Sequence, residues 1–173
     1  MAYKLTIELS ERDLRHFRRE LRKARKSVAI ADDEEILSAA SDMLKSLRVT
    51  ELPDFVTGRL DKLETMLAML CDADWPLAAT ERNPILAALA YLCDPEDIIP
   101  DDIPGIGLLD DAVMIELVFR ELQHEIKAYE DFSRFRGTLT DGAAAKNDPA
   151  AVAHRLARRR EQLIARTRRR KKK

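Results

Sequence analysis

The sequence has 173 residues, of which 46% are hydrophobic, 5% aromatic and 35% charged. This length suits one compact domain, and the scarcity of glycine and aromatic residues favours helices over a β-sandwich or barrel. The longest apolar run, Ile85 to Cys93, has nine residues, whereas a membrane-spanning helix needs about 20. We therefore expect a cytoplasmic protein that does not span the membrane.

The net charge of −1 conceals three regions of different charge. Residues 1–30 hold nine Lys or Arg and four Asp or Glu, and residues 151–173 hold eleven basic residues and one acidic residue. Residues 31–150 hold ten basic and 26 acidic residues. An acidic body between two basic ends is a first indication of function. A basic end could lie across the acidic region of this chain or of a second copy, which would block the basic end or drive self-association.

The first part of the chain predicts one short strand and two helices. Residues 3–9 alternate apolar and polar side chains, which is typical of a β-strand. Ser10 offers an N-cap oxygen for a first helix that ends near Val28, and a second helix follows Asp32. The order strand–helix–helix is also that of ribbon-helix-helix DNA-binding proteins. Because a lone strand is only marginally stable, we expect this one to pair two subunits in a homodimer or to pair with the edge of another strand.

The rest of the chain predicts three more helices and a basic segment. These helices begin at Pro53, at Asn83–Pro84 and near Asp110. The last of them is long and ends at Gly137, where a polar linker starts. Residues 149–173 carry only a thin apolar stripe beside eleven cations, so we expect a mobile arm rather than part of the core.

The predicted fold is therefore all-α. It is a small helical bundle with a short N-terminal β-strand and a basic C-terminal arm that is helical or disordered. We divide the chain into an N-terminal strand and basic helix packed on the body (1–30), a helical body (31–136) and a linker with the basic arm (137–173). The body contains an acidic loop rich in proline and glycine at residues 94–111.

The acidic loop carries the most information. It reads DPEDIIPDDIPGIGLLDD, with seven carboxylates, and it lies in a stretch of 37 residues without Lys or Arg. Our preferred interpretation is structural, because acidic residues cap helix N-termini and interact favourably with the helix dipole there. Asp94 followed by Pro95 has the form of such a cap, and Asp110 and Asp111 lie where the long helix begins.

The alternative interpretation of this loop is a divalent-cation site. Hard cations such as Mg²⁺ and Ca²⁺ bind several carboxylate oxygens from a shaped loop. The candidate ligands are Asp97, Asp101, Asp110 and Asp111. Such a site would also allow a metal-dependent hydrolase. However, the sequence supplies neither an identifiable base nor a substrate cleft, so we assign no catalytic residue and favour a non-enzymatic role.

The run from Tyr91 to Asp111 resembles the signature of the YkvA-like domain family, and the resemblance covers residues 80–130. Asp94 stands where serine is usual in that family. The resemblance implies a bacterial protein of unknown function, and the more apolar members of the family look membrane-associated. The residues that we take as the structural motif are Asp94, Pro95, Asp97, Pro100, Asp101, Pro104, Gly107, Asp110 and Asp111.

The C-terminal sequence RTRRRKKK indicates an anionic partner. Arginine and lysine without interleaved aromatic residues favour phosphate contacts over base stacking, so nucleic acid and an anionic membrane surface both fit. We therefore predict a non-enzymatic binding or adaptor protein whose residues 151–173 contact that partner. The predicted contacts are Arg166, Arg168, Arg169, Arg170, Lys171, Lys172 and Lys173.

Overall fold

The computed structural model describes residues 8–28, 32–94, 98–99, 106–140 and 148–171. Within these residues every regular element is a helix, which confirms the predicted helical bundle. The helices are α1 (Glu11–Val28), α2 (Asp33–Arg48), α3 (Asp54–Cys71), α4 (Ala79–Leu92), α5 (Leu109–Glu121), α6 (Gln123–Thr140) and α7 (Pro149–Lys171).

The predicted N-terminal strand is not supported. Five of its seven residues, 3–7, lie outside the described residues, and Glu8 and Leu9 have no regular structure. Alternation over so few residues is a weak signal, because a strand also needs a partner that satisfies its backbone groups. The homodimer predicted through this strand stays a prediction.

The first two helices begin where their capping residues predict. The hydroxyl of Ser10 donates to Oδ2 of Asp13 at 2.6 Å, and the Ser10 N–H donates to the same oxygen at 2.9 Å. Asp32 accepts a hydrogen bond from the N–H of Glu34 at 3.0 Å. Such side chains compensate for the helical partners that the groups at a helix start lack. Both helix starts are confirmed.

The central helix is α4, which packs against α1, α2, α3 and α5. Its residues 84–89 are all buried, together with Tyr91 and Leu92. A helix that is apolar on every side must be covered on every side. The helices around α4 therefore form one core, to which α3 and α5 also contribute through their mutual contact.

Two predicted helix boundaries are wrong. First, α4 begins at Ala79 rather than at Asn83–Pro84, because the N–H of Ala78 donates to Oε2 of Glu81 at 3.1 Å and completes an earlier helix start. Second, the predicted long helix is interrupted at Leu122 and its second part, α6, passes through Gly137 to Thr140. A glycine ends a helix only where its backbone turns left-handed, and Gly137 does not do so.

The basic arm is an ordered helix, which corrects the expectation of a mobile segment. Leu156 and Leu163 of α7 are buried against the bundle, chiefly on α6. The two helices run antiparallel. The Arg159 guanidinium, in the first half of α7, lies 5.5 Å from the ring centre of Phe135 near the end of α6, whereas Lys171 at the end of α7 pairs with Glu125 near the start of α6. A thin apolar stripe suffices here because it covers a single neighbouring helix.

Candidate functional site

The side chain of Asp110 joins α4, the acidic loop and α5. It lies in the first turn of α5 and is completely buried, with 0% of the residue exposed. Its Oδ2 accepts hydrogen bonds from the hydroxyl of Tyr91 at 3.0 Å and from the N–H groups of Ile98 at 2.9 Å and Ile99 at 3.1 Å. Hydrogen bonds to a carboxylate are about twice as strong as neutral ones. Asp110 therefore fixes the loop against the core.

A second carboxylate, that of Asp111, lies beside Asp110 and is only 3% exposed. Two buried like charges repel each other, and the positive end of the α5 dipole offsets part of that repulsion. The Oδ1 atom of Asp110 accepts no hydrogen bond from the residues that the structure describes. The start of α5 is thus a strongly electronegative position inside the protein.

The groups around these carboxylates are held in their neutral forms. Burial raises the pKa of Tyr91, and the negative charge of Asp110 raises it further, so the hydroxyl remains a donor at physiological pH. Burial likewise raises the pKa of the Cys93 thiol, and the charge of Asp111 acts in the same direction. A protonated, half-buried thiol is a poor nucleophile.

The structure describes only part of the predicted motif. Asp110 and Asp111 lie in the first turn of α5, where the helix dipole favours negative charge, but the N-cap position is Leu108 and no side chain caps this helix. Asp94 is exposed and Gly107 is buried. The other predicted residues lie outside the described ranges: Pro95, Asp97, Pro100, Asp101 and Pro104.

The divalent-cation site stays a prediction. Two of its four candidate ligands, Asp97 and Asp101, fall outside the described residues. Within the described ranges no group of three or more His, Cys, Asp or Glu side chains could hold a metal ion. Asp110 instead binds a tyrosine hydroxyl and two backbone amides.

Sequence reasoning assigned no role to Tyr91. A signal was present, because Tyr91 is the polar-tipped residue in the otherwise apolar run that precedes the acidic loop. A buried tyrosine hydroxyl usually finds a hydrogen-bond partner. Nearby acidic residues could therefore have been considered as that partner.

The predicted anion-binding residues lie on the last two turns of α7. Arg166, Arg168, Arg169, Arg170 and Lys171 are all exposed, while Lys172 and Lys173 lie outside the described residues. Lys171 is already paired with the buried Glu125. None of the four arginines forms an ion pair with a described residue.

These features define a helical bundle in which a buried aspartate anchors an acidic loop and a basic helix packs along one side. Residues 85–117, from α4 to α5, match a family described as a protein of unknown function (DUF1232). The chain is also 35% identical over 75 residues to the uncharacterized membrane protein YkvA of Bacillus subtilis (strain 168). That match covers 41% of this chain and 71% of the relative.

The chain therefore belongs to the YkvA-like family, whose function is unknown. No solved structure matches it. The relative's name contradicts the expectation of a cytoplasmic protein, which rested on the length of the apolar runs. Short apolar runs argue against a spanning helix but leave other forms of membrane association open. Among the described helices, none combines the length and the apolar character needed to cross a membrane.

Proposed function

We propose that this protein is a non-enzymatic binding protein that attaches to anionic membrane surfaces through the exposed face of α7. The observation that carries the proposal is the set of four exposed arginines at positions 166 and 168–170. Leu163 and Thr167 face the bundle and are buried, and Arg168 and Arg169 lie on the opposite side of the helix. Arg170 lies seven positions after Leu163 and is exposed at the end of the helix. Guanidinium groups in this arrangement match the phosphates of lipid headgroups.

A membrane surface fits these contacts better than nucleic acid does. The B. subtilis relative is named a membrane protein. Single-stranded nucleic acid is bound through aromatic side chains as well as cations, and the last two turns of α7 contain no aromatic residue. Each Lys or Arg near an anionic leaflet contributes about 1 kcal/mol, so four arginines would strengthen binding by roughly three orders of magnitude at low salt.

The test compares two double variants of the full chain. In Arg169→Gln/Arg170→Gln, the expected loss of about 2 kcal/mol weakens binding about thirtyfold to vesicles of phosphatidylcholine mixed with phosphatidylserine. The matched control is Lys45→Gln/Arg134→Gln, which removes two exposed cations from α2 and α6 and should change binding less than threefold. Sedimentation with the vesicles measures both.

Three results would overturn the proposal. The first is an equal loss of binding in the two double variants, because charge number rather than position would then matter. The second is equally tight binding to vesicles of phosphatidylcholine alone. The third is tighter binding to duplex DNA than to the anionic vesicles at the same salt concentration, which would make nucleic acid the partner.

A divalent-cation protein is the second candidate function. It is supported by the buried Oδ1 of Asp110, which accepts no hydrogen bond from the described residues. Isothermal titration with Mg²⁺ and Ca²⁺ tests it. Binding heat in the natural chain that disappears in Asp101→Asn is the expected result, because the loop would supply the ligands. The absence of heat and of a thermal shift in the natural chain removes this candidate.

A further inference from the structure

The C-terminal ends of the two basic helices each form an ion pair with a glutamate near the junction of α5 and α6. Arg25, in the last turn of α1, places its Nη2 atom 2.8 Å from Oε2 of Glu121. Lys171, at the end of α7, pairs with Glu125. These two anchoring pairs bring together segments that lie about 145 residues apart in the chain.

The two glutamates flank the junction between α5 and α6 and are four positions apart in the chain. Glu121 is exposed and Glu125 is buried, and the helix is interrupted between them at Leu122. Two backbone hydrogen bonds continue on either side of the interruption. The N–H of Leu122 donates to the carbonyl of Val118 at 3.0 Å, and the N–H of Ile126 donates to the carbonyl of Leu122 at 2.9 Å. Four residues span at most about 14 Å, so the two anchoring glutamates lie within that distance of each other.

The cations that flank the two anchors are not neutralised by the bundle. On α1, Arg22 and Lys26 are exposed and lie one turn apart. On α7, residues 168–170 are three exposed arginines. None of these five side chains forms an ion pair with a described residue. Both glutamates at the junction are already paired, so the net charge of this surface is strongly positive.

Helix stability alone does not account for this surface. A helix dipole favours basic residues in the last turn by about 0.3–1 kcal/mol each, and this applies to each helix separately. It provides no reason for both basic ends to lie near the same junction, where their mutual repulsion lowers stability. Surface charge that the fold does not neutralise favours the binding of an anionic ligand.

We propose that the last turns of α1 and α7 form one composite surface that binds the phosphate groups of an anionic membrane. This inference rests on the proposed function and extends it, because α7 would not bind alone. Because the two anchors lie within about 14 Å of each other, the exposed cations of both helix ends are placed to contact one patch of headgroups.

The test compares two variants: one lacks two cations at the C-terminal end of α1, and the other lacks two cations at its N-terminal end. Arg22→Gln/Lys26→Gln should weaken binding to phosphatidylserine-containing vesicles about thirtyfold, as much as the loss of two α7 arginines does. The matched control is Arg12→Gln/Arg15→Gln, at the other end of the same helix and at least about 10 Å farther along it. It should change binding less than threefold. Circular dichroism melting of all variants shows whether the fold is retained.

A second measurement uses the unaltered protein. Hydrogen exchange with and without vesicles should show added protection at residues 22–26 and 166–171 together, and none near residue 12. Weak vesicle binding by the α7 variant with normal binding by Arg22→Gln/Lys26→Gln would overturn the composite surface and leave the proposed function standing. Normal binding by the α7 variant would overturn both. Equal loss at the two ends of α1 would also overturn the composite surface.

Discussion

Removing the Tyr91 hydroxyl tests the anchoring role of Asp110. Tyr91→Phe deletes one of three donors to Oδ2 and leaves no other polar group unpaired at that position. A hydrogen bond to a charged group contributes about 1.5–3 kcal/mol, and the site is buried, so we expect the free energy of unfolding to fall by that amount. This loss would be a substantial part of the 5–15 kcal/mol that stabilises a typical domain.

A double-mutant cycle attributes this loss to Asp110. In the Asp110→Asn background the acceptor is uncharged, so Tyr91→Phe should cost only about 0.5–1.5 kcal/mol. Urea unfolding followed by circular dichroism measures all four proteins. The control is Tyr129→Phe, which removes a hydroxyl bound to Asp72 and should cost the same in both backgrounds. If Tyr91→Phe also costs the same in both, the anchoring argument is refuted.

Three further predictions concern acid stability, thiol reactivity and the docking of α7. Burial acts to raise the pKa of Asp72, but hydrogen bonds, above all from Arg136, hold it below its ordinary value. The stability that the ionised Asp72 contributes is therefore present above about pH 4 and is lost as the pH falls through its folded-state pKa. In Arg136→Gln the urea unfolding midpoint should fall less steeply with decreasing pH than in the unaltered protein. Parallel plots of midpoint against pH would contradict this. Iodoacetamide should modify the exposed Cys71 faster than the half-buried Cys93, and equal rates in peptide mass spectra would disprove it. Leu163→Ala, at a 3% exposed position, should lower the free energy of unfolding by about 2–5 kcal/mol. Amide hydrogen exchange should become faster in α7 than in the other helices; equal acceleration in all helices would show that α7 does not detach separately.

Part of the candidate site could be predicted from the sequence alone. The acidic residues at the start of α5 could be placed there because a helix start is determined by residues within one turn of it. Tyr91 and the amides of residues 98 and 99 could not be assigned to Asp110. They lie 11 to 19 positions away, and their meeting depends on how the loop returns to α4.

Local chemistry in the sequence by itself determined the all-helical class, the capped starts of α1 and α2, and the segregation of charge into basic ends and an acidic body. Each depends on side-chain periodicity, on neighbours within four positions or on a count of charges. Only the tertiary structure decided that α7 packs on α6 and that Glu121 and Glu125 receive cations from opposite ends of the chain. The physical reason is that a thin apolar stripe is enough for packing wherever the neighbouring surface is complementary, and that surface is built from distant residues.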